Sequence, residues 1–475
     1  MTSFSKNLEK YIYQSKLTEN QLAKISGFNR SYIALMKNGQ RISADKVRMG
    51  KLIDALNLSP YEQDCLWEDY LKARYGEKNF EMRQQMIAFI ESFGHNSEIH
   101  IKSTFRHDIP DIQCVNNRQD LEYLIKAVIE NESLKENGKL KMIMQSDFDF
   151  IFRLLPHIYR NTGYLETEHM ICLEGSSHAD EGKLLYNLTF FKQMIPMILG
   201  ARSGQYNAYY YYDNVDSHFA TSVLMPYVII TSAYVINISV DLEHALVSKV
   251  PEVIGLYEQL FDRRKRVCRP MIQRISADFD VVDYWNNFEQ EDEPAAYLTV
   301  GGQPCFGTFD VESMLCKYIK IKHMENAEAL LKMVKANKDA AGKSKIPLVS
   351  YFTKFGVELL MNEGLVEELP REIYEPLGES DRKSLIKMLI FAIRSGWYEG
   401  YLICEDKIRY PKELIITARD MNDVNICYLT DAAECRFALR EQSLSKMIFD
   451  FLQNLKESSC VYSKEETVAY LESLL

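Results

Sequence analysis

The apolar positions at the start of the chain fall into short helical groups separated by polar breaks. Leu8 and Ile12 mark the inner face of a first helix. Thr18 is placed to cap a second, its hydroxyl accepting free backbone N–H groups, and Gln21 three residues on completes a capping-box pattern. That helix carries Leu22, Ala23 and Ile25 and is expected to stop at Gly27, which can take the left-handed angles of a helix end. Asn29 is placed to cap a third helix, from Arg30 to about Lys37, with Ile33 facing inward. Small Ala23 lets these two helices approach closely, and the short turn at Gly27 makes them a helix-turn-helix. Ser43 is expected to cap a fourth helix bearing Val47, Leu52, Ile53 and Leu56, and Ser59-Pro60 to open a fifth.

A second helical stripe follows, with Phe80, Met86, Phe89, Ile90 and Phe93 inside residues 76–95. It serves either as core or as a surface that pairs subunits. From Ser217 to Val240 the chain carries no Asp, Glu, Lys or Arg and is long enough to cross a bilayer. Pro226, Asn237 and many β-branched residues instead predict two buried strands around the Thr231-Ser232-Ala233 break, and no membrane span.

Comparing the rest of the chain with itself shows two sets of similar features in the same order. LIKAV at 124–128 is echoed by LLKMV at 330–334, each followed by a polar break and an apolar strand. Arg202-Ser203-Gly204-x-Tyr206 is matched by Arg394-Ser395-Gly396-x-Tyr398, each between an apolar helix and an aromatic strand. Further strands and an aromatic-rich helix recur after both. The expected fold is multidomain. An all-α helix-turn-helix head (1–75) and a helical connector (76–95) precede a tandemly duplicated, two-lobed α/β (α+β) body, residues 96–275 and 285–475.

Charge separates head from body. Residues 1–52 hold ten Lys or Arg against Glu9, Glu19 and Asp45, a balance of +7; with −11 overall, the remainder carries −18. A small basic head on an acidic body predicts a local polyanion site. The head resembles the phage-repressor-like (xenobiotic-response-element, Cro/C1-type) family of transcriptional regulators. Its pattern Leu-Ala-x3-Gly-x5-Ile is met by Leu22, Ala23, Gly27 and Ile33, with Asn38-Gly39 closing the unit. The resemblance covers about residues 4–74 and implies double-stranded DNA as partner. It places Arg30, Ser31 and Ala34 on the groove-facing side of the third helix. An arginine there can give two hydrogen bonds to guanine. Tyr32, Lys37 and Asn38, with Asn29 and with Glu19, Asn20 and Gln21 at the preceding helix start, are expected near phosphates. Many family members have Glu where this chain has Lys37, so the carboxylate for an ion pair back to the first helix is missing and Lys37 can add a phosphate contact instead.

Catalytic signatures are weak. His100-Ile-Lys102 followed by Asp108 misses the phospholipase-D pattern HxKxxxxD by one residue, with no GS-x-x-N continuation and no second copy. The two-lobed outline is distantly similar to the phospholipase-D-like effector domains of some bacterial regulators, and these residues carry that likeness no further. GGQPCFGT (301–308) lacks the Lys-Ser/Thr of a phosphate loop and reads as a turn, and the run Arg263 to Arg266 as a solvated helix end. Ten scattered cysteines contain no CxxC pair, which predicts free thiols, no metal site and no cofactor. No basic-then-apolar leader opens the chain, so a cytoplasmic location is expected.

A crevice between duplicated lobes is a preferred ligand site. Arg202, Tyr206, Tyr209 and Tyr210, with Arg394, Trp397, Tyr398 and Tyr401, occupy equivalent places and are the candidates for a small-molecule or peptide effector. Sheet packing and helix capping are the competing roles. The reading is a non-enzymatic, homodimeric DNA-binding regulator. The alternative is an enzyme, defence effector or protein-binding scaffold that carries a DNA-targeting head.

Overall fold

The computed structural model describes residues 2–94, 110–161, 164–175, 181–202, 204–217, 219, 223–275, 296–306, 309, 311–320, 348–367, 374–429 and 434–475. His100, Lys102, Asp108, Ser203 and the segment 330–334 lie outside the described residues.

The chain begins with α1 (Ser3–Ser15), α2 (Glu19–Ser26), α3 (Arg30–Lys37), α4 (Lys46–Ala55), α5 (Pro60–Tyr75) and α6 (Glu77–Ser92). The first five close on a core of their own, including Phe4, Leu8, Leu22, Ile33, Met36, Leu52, Ile53, Leu66 and Tyr70, which Phe80 of α6 joins. Their ends are capped locally. Thr18 with Gln21, and Ser59 with Glu62, make reciprocal boxes, each satisfying donors that a helix start leaves free. Two expectations need correction. Asn29 stands at the N-cap of α3, yet its side chain makes no capping bond. Asp45, not Ser43, caps α4; Ser43 is buried, its hydroxyl accepts from the Asp45 N–H, and its carbonyl accepts from the Tyr70 hydroxyl. Val47 correspondingly faces solvent.

The body holds two mixed sheets. The first contains β1 (Ile112–Val115), β2 (Gly138–Ile143), β3 (Leu165–Glu174), β4 (Tyr206–Asp213), β5 (Tyr227–Thr231), β6 (Val235–Ile238), β7 (Ala245–Ser248) and β8 (Arg269–Pro270). Helices α7 (Arg118–Ser133), α8 (Asp149–Asn161), α9 (Glu181–Gly200) and α10 (Pro251–Lys265) connect them. The second contains β9 (Ile272–Ile275), β10 (Tyr297–Val300), β11 (Leu348–Phe352), β12 (Tyr398–Leu402), β13 (Leu414–Ala418), β14 (Val424–Leu429) and β15 (Glu434–Leu439). Its helices are α11 (Glu312–Leu315), α12 (Lys354–Glu363), α13 (Glu379–Ser395), α14 (Gln442–Leu455) and α15 (Lys464–Glu472).

Both sheets run through their strands in one order. The first reads β1-β7-β6-β5-β2-β3-β4, with β8 added at the edge, and the second β9-β15-β14-β13-β10-β11-β12. In each, the second, third and fourth strands along the chain (β2, β3, β4 and β10, β11, β12) are parallel to one another and the other pairings are antiparallel. The register agrees as well: Ile143, Met170 and Tyr209 form one row across the parallel strands, and Val300, Tyr351 and Tyr401 form the equivalent row. Gly204 and Gly396 both take left-handed φ angles, 78° and 83°, where a helix turns into its strand.

One sequence match is out of step with this order. Setting LIKAV against LLKMV aligns β2 with β11, whereas β2 occupies the place of β10. Among the described residues β2, β3, β4 and β12 each follow a helix and a polar break, so the local pattern recurs without saying which unit it belongs to. The passage between sheets also comes earlier than residue 275. β9 already pairs with β15. Met271, between β8 and β9, donates its N–H to the Ala208 carbonyl and accepts from the Arg440 N–H, joining the two sheets at one residue.

The stripe on α6 is core. Met86, Phe89, Ile90 and Phe93 are buried in the cluster that spans both sheets, with Phe89 stacked on Phe191 at 5.6 Å and Phe93 beside Tyr428. Residues 217–240 contribute β5, β6 and the turn between them, and among the described residues no helix is long and apolar enough to cross a membrane.

Candidate nucleic-acid interface

The site is built on α2 and α3. Gly27, at φ 75°, donates its N–H to the Ala23 carbonyl and ends α2 in a left-handed turn. The buried Ser26 hydroxyl donates to Leu22 O at 2.7 Å and accepts from the Phe28 N–H, tightening the same turn. Phe28 then stacks on Tyr32 at 5.4 Å with rings 5° from parallel, and the Tyr32 hydroxyl donates to Ile42 O at 3.3 Å. These contacts fix the roll of α3. Ile33 and Met36 are buried, while Arg30, Ser31 and Asn38 are exposed and Ala34 is half-buried between them.

Glu19, in the first turn of α2, ties the two helices together. Its carboxylate accepts from Lys37 Nζ at 3.2 Å and from Arg30 Nε at 3.4 Å. The Lys37 hydrogen bond, aided by Arg30 and opposed by burial, holds the Glu19 carboxyl below its ordinary range. Lys37 is therefore paired, with Glu19 of α2. Lys37 is a quarter exposed, so pairing takes up part of its charge; the Arg30 side chain is two-thirds exposed and bonded only along one edge, through Nε. Asn20, Gln21 and Asn29 are exposed beside them.

Two polar residues that sequence reasoning passed over share this surface. The N–H groups of Gln40 and Arg41 both donate to Leu35 O, wrapping the chain around the end of α3 and leaving both side chains exposed. Gly39, at φ 71°, permits the wrap, and its position after Asn38 was the available signal.

The head contacts the body through other residues. Lys46 Nζ donates to the carbonyls of Ser458 and, at 3.2 Å, Val461. Arg74 pairs with Glu457 at 3.3 Å, and Lys407 pairs with Asp64. Burial pushes the Lys46 ammonium pKa down, and the two carbonyls supply the acceptors it needs. These residues come from α4, α5 and the 404–411 and 456–461 loops, so the seam uses none of the α3 side chains named above.

The eight residues proposed for an effector crevice sit within their own sheets or at helix ends. Tyr206 is buried with its hydroxyl 2.8 Å from His169 Nδ1; Tyr210 is buried and reaches the Arg440 carbonyl. Tyr398 donates to Cys305 O, Tyr401 stacks on Tyr351, and Tyr209 lies under Lys265. Arg202 is exposed at the end of α9; Arg394 pairs with Glu472 at 2.6 Å; Trp397 is exposed against Phe309. The Tyr-rich pattern marks strands here.

No family model and no curated protein matches the chain. Among solved structures it is similar to TrmBL2, described as an archaeal chromatin protein with a novel mode of DNA binding, at 11% identity and TM-score 0.23, over 53% of this chain and 87% of that one. It is also similar to the phosphatidylserine synthase of Haemophilus influenzae Rd KW20, at 9% identity and TM-score 0.24, over 76% and 92%. The polyphosphate kinase of Porphyromonas gingivalis follows, at 9% and 0.21, over 76% and 55%. Likenesses this low carry no weight for fold or function.

Proposed function

We propose that the chain is a cytoplasmic, sequence-specific DNA-binding regulator. In this reading residues 1–75 are a helix-turn-helix domain, 76–95 a connector built into the body, and the rest two copies of one α/β unit. The observation that carries the reading is the face of α3. Arg30, Ser31 and Asn38 stand exposed on a helix whose roll is fixed by Phe28, Tyr32 and Glu19, and the body docks elsewhere. A fixed roll matters because a guanidinium must meet a base edge in one geometry to discriminate. The common strand order and the paired left-handed glycines support the duplication. The body's part is to hold two heads at a set spacing, one helical turn of DNA or about 34 Å apart.

The test is a salt titration of full-length protein on a 30-base-pair duplex pool. Binding through several Lys and Arg releases counterions, so log affinity should fall linearly with log salt, at about 0.9 per phosphate neutralised. The expected result is a slope of at least about −3. Affinity that is absent at low salt, or indifferent to salt, would overturn the reading.

A further inference from the structure

The connector stripe is spent on the core, so a surface that pairs subunits must lie elsewhere. Helix α10 supplies one. Its inner face, with Ile254 and Phe261, packs on Met170, Val228, Ile230 and Val235 of the first sheet. Its outer face presents Glu252, Leu256, Leu260 and Arg263 in a line, at helical spacings of four, four and three, and Val267 continues it just past the helix end. Leu256, Leu260 and Val267 are 53%, 51% and 78% exposed. Apolar side chains grouped in this way on one helix face are a mark of an interaction surface.

Three further observations say what covers it. The helix that holds the same place in the second sheet, α14, buries its apolar residues among neighbours that include α6 and α9, and the stripe it leaves exposed is polar, with Gln442, Lys446, Asp450 and Gln453. Gly255 stands mid-helix in α10, where glycine costs about 1 kcal/mol relative to alanine. A Cβ added there meets nothing within 4 Å, so no neighbour in this chain requires the glycine. It borders a depression of about 420 Å³ between α10 and the β5–β6 turn, shared with Tyr234, Lys249 and Pro251. Finally, the charges along α10 are polarised. Glu252 is exposed at the beginning, and Arg263 and Arg266 are exposed at the end.

We propose that α10 pairs antiparallel with α10 of a second copy of this chain. A twofold axis near Leu256 and Leu260 sets the leucines of each copy against those of the other. It also brings each Glu252 toward the partner's basic end. Parallel and antiparallel pairs both satisfy a twofold axis, but with acid at one end and base at the other only the antiparallel pair sets opposite charges together. Gly255 stands about 100° around the helix from Leu256, so its bare backbone and the depression beside it flank the leucine line. The pairing deepens the reading of a two-headed regulator. It is measured without DNA, so its failure would leave DNA binding by the head standing.

Sedimentation velocity of the full chain from about 1 to about 100 μM should show a rise from 55.2 kDa toward twice that mass. Leu256→Glu with Leu260→Glu should raise the dissociation constant at least about tenfold. These positions are exposed, so the melting temperature should hold, which a thermal scan checks. Glu252→Arg alone should weaken pairing, and adding Arg263→Glu should restore it to within about threefold of wild type. A wild type that stays monomeric throughout, a leucine variant that pairs as well as wild type, or a double reversal that fails to recover would each overturn the proposal.

Discussion

Glu19 changes what the recognition surface can do. It occupies part of the hydrogen-bonding capacity of both Arg30 and Lys37, capacity that in the proposed complex serves a base edge and a phosphate respectively. Glu19→Gln should therefore strengthen binding to any duplex and steepen the dependence of log affinity on log salt, by up to about one further phosphate contact. Anisotropy titrations at several salt concentrations read both effects, and an unchanged slope would mean that Lys37 lies away from the backbone. In the body, His169 is the residue that pH should find first. Its ring is fully buried, between the Tyr206 hydroxyl and the Met144 carbonyl, and burial lowers its pKa from 6.5 to about 4. Between those values the unfolded chain binds a proton that the folded chain refuses, so stability drops as pH falls from 6.5 to 4. His169→Gln should be less stable near neutrality, and its melting temperature should vary less across that window. Equal slopes in the two proteins would show that another group governs acid sensitivity.

Elements defined by neighbouring residues were legible in the sequence. Thr18 with Gln21, Gly27, and Ser59-Pro60 mark helix ends by local chemistry, and the helices begin and end there. The choice of Asp45 over Ser43 was not legible, because it depends on Tyr70, which claims the Ser43 carbonyl from a distant helix. The two roles left open for the α6 stripe have the same cause, since a buried face and a dimer face share one periodicity. Only Phe191 and Tyr428, far along the chain, decide between them. Met86→Asp with Ile90→Asp should accordingly unfold the body, because burying unpaired charge costs several kcal/mol, on the order of a domain's whole stability. Residues 1–75 alone, with their separate core, should still melt cooperatively and bind DNA weakly. A soluble double variant with wild-type melting would return the stripe to the surface.

At the scale of the whole molecule, residues 1–52, of balance +7, are joined to a remainder of −18. An acidic body is repelled by a duplex, increasingly so at low salt, so attraction must come from the head and gain from pairing two heads. The contacts that join head to body involve Lys46, Arg74 and Asp64, all absent from the α3 face, and nothing in their spacing announced them. The strand order was legible only in part. The RSGxY pair marks equivalent strands, while the helix–break–strand pattern repeats too often to fix a register. The central claim is that α3 reads bases through Arg30. Selection of binding sites from a randomised duplex pool, run in parallel with wild type and Arg30→Ala, tests it most directly. The account predicts an enriched motif for wild type. With the variant, one position of that motif loses its preference, and affinity for the wild-type site falls by about 1–3 kcal/mol. The same motif at the same affinity from both proteins would contradict it.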